Sequence, residues 1–98
     1  MMKRIYWQFL DEVDGVSDYV NSATECKDKD WDMSSMYLDM AKAEVGHAEK
    51  LLGAMKKIAA DDKKASEGDE NHISAADMLV DIMNGQLVKA RAMMMAFE

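Results

Sequence analysis

The sequence predicts an all-α protein, and three observations carry that expectation. Proline is absent and only 5 of the 98 residues are glycine, so little punctuates long helical runs. The chain is 49% apolar, with Ala, Met and Leu prominent and β-branched and aromatic residues sparse. Apolar residues also recur at alternating steps of three and four in three segments. With 98 residues the chain is expected to form one domain, residues 1–98, with a modest core that gains from further burial by self-association.

The first helix is expected over about 5–26, where Ile5, Phe9, Val16, Ala23 and Cys26 share a seam that also carries Glu12 and Tyr19. Gly15 interrupts it at a cost of about 1 kcal/mol relative to alanine. The charged stretch KDKDWD then breaks the pattern, and Asp32 is expected to cap the next helix by accepting its free backbone N–H groups.

That second helix is predicted over 32–58, with Met33, Tyr37, Met40, Glu44, His47, Leu51, Ala54 and Ile58 as its seam. So short a connection makes the first two helices an antiparallel hairpin. Residues 60–72 are polar, contain a glycine and lack periodicity, as expected of an exposed loop. Ser74 or Asn71 is the expected cap of a third helix over 74–97, whose stripe of Ala76, Val80, Met83, Leu87, Ala90, Met94 and Phe97 contains no ionisable group.

The charge balance narrows the function. Twelve Lys plus Arg against 19 Asp plus Glu give a formal net charge of −7, which opposes binding to nucleic acid or anionic lipid and favours a cationic partner such as a metal ion. A single cysteine, Cys26, cannot make an internal disulfide, so an intracellular, cytoplasmic setting is expected. The apolar run in MMKRIYWQFLDE ends too soon for a membrane span or signal sequence, so no membrane association is expected.

Two seams thus carry polar groups where apolar ones are expected, and a buried carboxylate costs several kcal/mol unless paired or bound to a cation. In an antiparallel hairpin, residues equidistant from the turn lie level. The midpoints of Glu12 with Glu44 and of Glu12 with His47 both fall within KDKD, so these three groups should converge. A spacing of three puts Glu44 and His47 on one helix face. One carboxylate plus a Glu-x-x-His pair is half the ligand set of a carboxylate-bridged dimetal site in a helical bundle, where oxygen and imidazole donors suit iron or manganese. The alternative is a hydrogen-bonded His–Glu pair that only fixes helix register.

The segment EVGHAEKLL resembles the Glu-x-x-His-Ala-Glu-x-Leu-Leu stretch of ferritin-like proteins, and EVDGVSDYV, with Glu12 and Tyr19, resembles the first helix of encapsulated ferritins. The layout is similar to that of small bacterial and phage ferritin-like proteins. The resemblance implies a ferritin-like bundle completed by dimerisation, in which Glu12 and Glu44 supply carboxylates and His47 a terminal nitrogen to a di-iron site shared between two chains. It further implies ferroxidase activity, with manganese or zinc as other occupants and a homodimer or higher homo-oligomer as the working form. The competing expectation is a non-enzymatic interaction protein of phage or mobile-element type with a structural or relic metal.

Tyr19 and Tyr37 are expected near the site, where a phenol can hydrogen-bond a ligand carboxylate, or simply as core tyrosines. Glu49 and the Asp77/Asp81 pair read as solvated helix-face charges, and His72 as a surface or capping residue. The 11 methionines read as core filler or a self-association surface.

Overall fold

The computed structural model describes residues 1–66 and 74–97, and among these residues the structure is all-helical: α1 spans Met2–Cys26, α2 Trp31–Ala65 and α3 Ala75–Phe97. Asn71 and His72 lie outside the described residues.

Helix α1 closes at Cys26, whose carbonyl accepts from Lys29 and Asp30 N–H (3.0 and 2.8 Å). Helix α2 then starts earlier than expected. Asp30, not Asp32, is its N-cap: Asp30 has extended backbone and its Oδ1 accepts from the Met33 N–H at 3.0 Å, while Asp32 lies in the first turn. The expected end at 58 is also corrected, because the helix runs on through Asp61–Ala65. No glycine or proline interrupts residues 59–65, and Lys63 and Lys64 in the last turn complement the negative end of the helix dipole. The polar segment is therefore partly helical. Ser74 caps α3 as expected: its Oγ accepts from Asp77 N–H at 3.0 Å while the Asp77 carboxylate accepts from the Ser74 backbone N–H (3.4 Å) and hydroxyl (3.1 Å), a reciprocal capping box.

All three helices pack on one another around a core of Phe9, Val16, Met55, Met83 and Leu87, with Ala23, Ala41 and Ala48 letting the backbones approach. Moving up α1, the contacts step down α2: Glu12 meets His47, Gly15 meets Glu44, Tyr19 stacks on Tyr37, and Ala23 accepts from Ser34. The expected α1 seam is observed at Ile5, Phe9, Val16 and Ala23, and the expected α3 stripe at Ala76, Met83, Leu87, Ala90 and Phe97.

The α2 seam is one residue out of phase. The buried stripe is Ser34, Ala41, Val45, Ala48, Leu52, Met55 and Ala59, whereas Met33 and Met40 are exposed and Glu44, Leu51, Ala54 and Ile58 are partly covered. The molecule is a thin slab, with Cα extents of 59 × 21 × 14 Å and a radius of gyration of 16.6 Å. A compact domain of about 100 residues has roughly 13 Å. So thin a body cannot cover every side of a 35-residue helix.

Candidate metal centre

Glu12 on α1 and Glu44 and His47 on α2 each bring one ligand atom to a common point, with these atoms all within 4.8 Å of one another. His47 Nδ1 lies 3.3 Å from Glu12 Oε2 and 3.7 Å from Glu44 Oε1. The two helices set this up without a turn or loop: Glu44 and His47 stand one above the other on α2, and Glu12 reaches across at the same height.

The expectation that these groups are buried is corrected. The His47 side chain is 54% exposed and those of Glu12 and Glu44 are 25% and 24% exposed. This follows from the shifted α2 stripe: Glu44 and His47 precede the buried Val45 and Ala48 and so sit on the flank of the core. The cluster opens to solvent in a depression bordered by Gln8, Lys50 and Leu51.

Two further features bear on its chemistry. The Glu44 carboxyl is held above its ordinary pKa, chiefly by a side-chain hydrogen bond with Glu12, then by partial burial and the Glu12 charge, with His47 acting in the opposite sense. Two carboxylates thus converge with more negative charge than one imidazole balances. Second, a Cβ placed on Gly15 would lie 2.7 Å from Glu44 Oε2 and 3.3 Å from its Cδ. The glycine is what leaves room for this carboxylate, and the sequence had marked it only as a weak point in the helix.

Tyr19 and Tyr37 stack on one another, with ring centroids 6.2 Å apart and planes at 24°, about two turns from the cluster towards the α1–α2 connection. Glu49 is engaged elsewhere, 3.0 Å from Arg91 on α3. Cys26 is half-buried beside the connection, and Asp77 serves the α3 cap.

Among the described residues no helix is long and apolar enough to cross a membrane. Comparison of the chain with protein-family models, with curated proteins and with solved structures finds no match.

Proposed function

We propose that the protein is a ferritin-like metal-binding protein in which Glu12, Glu44 and His47 form half of a dimetal site. The observation that carries this reading is the convergence of three ligand atoms of hard-donor type within 4.8 Å. The donor set fits a divalent cation in charge as well as type: a cation between Glu12 and Glu44 would offset the like charge that helps to raise the Glu44 pKa. The Gly15 cradle keeps Glu44 aimed at the shared point.

In this reading α1 and α2 form an antiparallel hairpin, supported by contacts that pair rising positions on α1 with falling positions on α2. One chain supplies two carboxylates and one imidazole, and a ferritin-like centre uses twice that set, so a second copy is needed. Exposed Met33, Met36 and Met40 on α2 suit a face that a second copy covers. The setting we propose is cytoplasmic, consistent with one free cysteine.

Ferrous iron is the substrate in this proposal, losing one electron per ion to dioxygen or peroxide. The chain binds and orients: Glu12 and Glu44 supply negative charge that favours the ferric product, and His47 supplies a nitrogen donor. Tyr19 and Tyr37 stack on each other about two turns away, and the proposal gives them no ligand role.

The test is metal content after loading with iron, manganese or zinc, compared with a Glu44→Ala/His47→Ala variant, followed by oxygen uptake on adding ferrous iron. Stoichiometric loading that the variant loses, with uptake faster than buffer, is expected. Equal loading of both proteins would sink the metal site; loading without accelerated oxidation would leave a structural metal in an interaction protein.

A further inference from the structure

The outward side of α2 carries a charge pattern beside the metal cluster. Asp32, Asp39, Lys50 and Lys57 are all exposed, and spacings of 7, 11 and 7 residues bring them within about 20° of one line along the helix, at 100° per residue. None of the four makes an ion pair with another described residue. Next to this line runs an apolar row: Met33, Met36 and Met40 are exposed, and Leu51, Ala54 and Ile58 are partly covered. The far side of that row is closed by α1, which touches Glu44 and Tyr37.

We propose that the apolar row docks antiparallel against the same row of a second copy, with the charged line setting the register. This orientation rests on the two-copy reading of the metal site for what the contact completes, and on α2 alone for how the copies meet. Along α2 the line reads acid, acid, base, base. Its complement reads base, base, acid, acid at the same spacings, which is this line run backwards. A two-fold axis perpendicular to the helix reverses height and keeps each residue on its own flank. Asp39 of each copy therefore meets Lys50 of the other and Asp32 meets Lys57, four opposite-charge pairs along one flank, of the kind that sets orientation in paired helices. A parallel copy puts the two lines on opposite flanks, and a wholly basic partner meets Lys50 and Lys57 with like charge.

The apolar residues fall into the same register. Both charged pairs have their midpoint between Glu44 and Val45, while Met36 with Ala54, Met40 with Leu51 and Met33 with Ile58 have theirs at Val45 or within one residue of it. Met36 and Ala54 are 18 residues apart, five full turns, and so share one line, a long side chain opposite a short one. The axis passes level with Glu44 and His47, so it brings the Glu12, Glu44 and His47 of the second copy to the height of the first. Exposed Asp11, Asp14 and Asp18 stand near that height on α1, so the copies meet along α2 and leave α1 at the rim.

The experiment uses full-length metal-free protein. Asp39→Lys and Lys50→Asp, each alone, place like charges opposite one another at both symmetry-related positions. Each is expected to keep its helical circular dichroism and to weaken self-association about tenfold in sedimentation equilibrium. An equimolar mixture of the two variants is expected to pair as the unaltered chain does, because every pair in the mixed dimer is again of opposite charge. Both variants remain net acidic, so attraction between oppositely charged proteins does not explain such pairing. Separately, Met36→Cys/Ala54→Cys in a Cys26→Ser background is expected to give a disulfide-linked dimer on mild oxidation, and neither cysteine alone is. A mixture that pairs no better than its components, cross-linking by Met36→Cys alone, or an unaltered chain that stays monomeric at the highest concentration reached overturns the proposal. No readout uses metal: pairing without metal binding sinks only the metal site, and metal binding without pairing sinks only this contact.

Discussion

Glu44 reaches its place because Gly15 has no side chain, and that contact separates two effects that usually travel together. Alanine is a better helix former than glycine by about 1 kcal/mol, and the atom in its way is the far end of a flexible glutamate. Gly15→Ala should therefore leave the thermal midpoint unchanged or raised while lowering metal affinity roughly tenfold, a factor worth about 1.4 kcal/mol. Calorimetric unfolding and metal titration read the two effects independently, and a parallel loss of both would show that Gly15 serves packing instead. The raised pKa of Glu44 makes a second prediction, for the metal-free protein. A carboxyl whose folded pKa exceeds its unfolded value contributes stability that is fully present below the unfolded value and is lost as pH rises through the folded one. Metal-free protein should thus lose a little stability as pH rises upward from the ordinary glutamate range, and Glu44→Gln should flatten that part of the profile in urea unfolding followed against pH. The meeting of Glu12, Glu44 and His47 was legible in the sequence because height in a hairpin depends only on distance from the turn. Their exposure was not, because it depends on how far α2 is rotated about its own axis.

That rotation is decided at the level of the helix. Two neighbouring stripes on α2 are both apolar enough to serve as core, one with Met33, Tyr37, Met40 and Leu51 and one with Ala41, Val45, Ala48, Leu52 and Met55. Periodicity favours the larger residues, but three helices converge here and the small alanines admit close backbone approach, so the second stripe is buried. On α1 and α3 only one stripe is continuous, and there the sequence pattern and the buried residues agree. The α2 N-terminus has the same kind of ambiguity: Asp30 and Asp32 are both capable caps, and only the Asp30 backbone is extended where its carboxylate can meet the Met33 N–H. Asp30→Ala should lower stability by about 1 kcal/mol and Asp32→Ala by less, measured as urea midpoints. Fully buried Ser34 adds a link between the helices, donating its hydroxyl to the Ala23 carbonyl at 2.7 Å in the last turn of α1. Ser34→Ala removes that donor and should cost about 1 to 2 kcal/mol, a drop of several degrees in the thermal midpoint for a domain of this size.

A slab 14 Å thick in its shortest Cα dimension is barely more than one helix deep, so helix faces that a larger domain would cover remain open. On one of those faces Glu12, Glu44 and His47 are partly exposed and Met33, Met36 and Met40 continue along the same helix as Glu44 and His47. If a second copy completes the site there, turnover depends on chain concentration in a way that a site complete within one chain does not. At concentrations below the dimer dissociation constant, most chains hold three ligands and the ferrous oxidation rate per chain rises in proportion to concentration; above it, the rate per chain levels off. Metal bound between copies stabilises the dimer by mass action, so loading should shift the plateau to lower concentration. Met40→Asp, at a position already 37% exposed, places a charge in the proposed interface with little effect on the monomer's own core. It should leave the helical circular dichroism intact, move the plateau to concentrations about tenfold higher or more, and remove the metal-dependent increase in sedimentation coefficient, since an unpaired charge enclosed in such a contact is strongly unfavourable. A rate per chain that stays flat through the dilution series, with iron still oxidised, would place the whole reaction within a single slab and separate turnover from assembly.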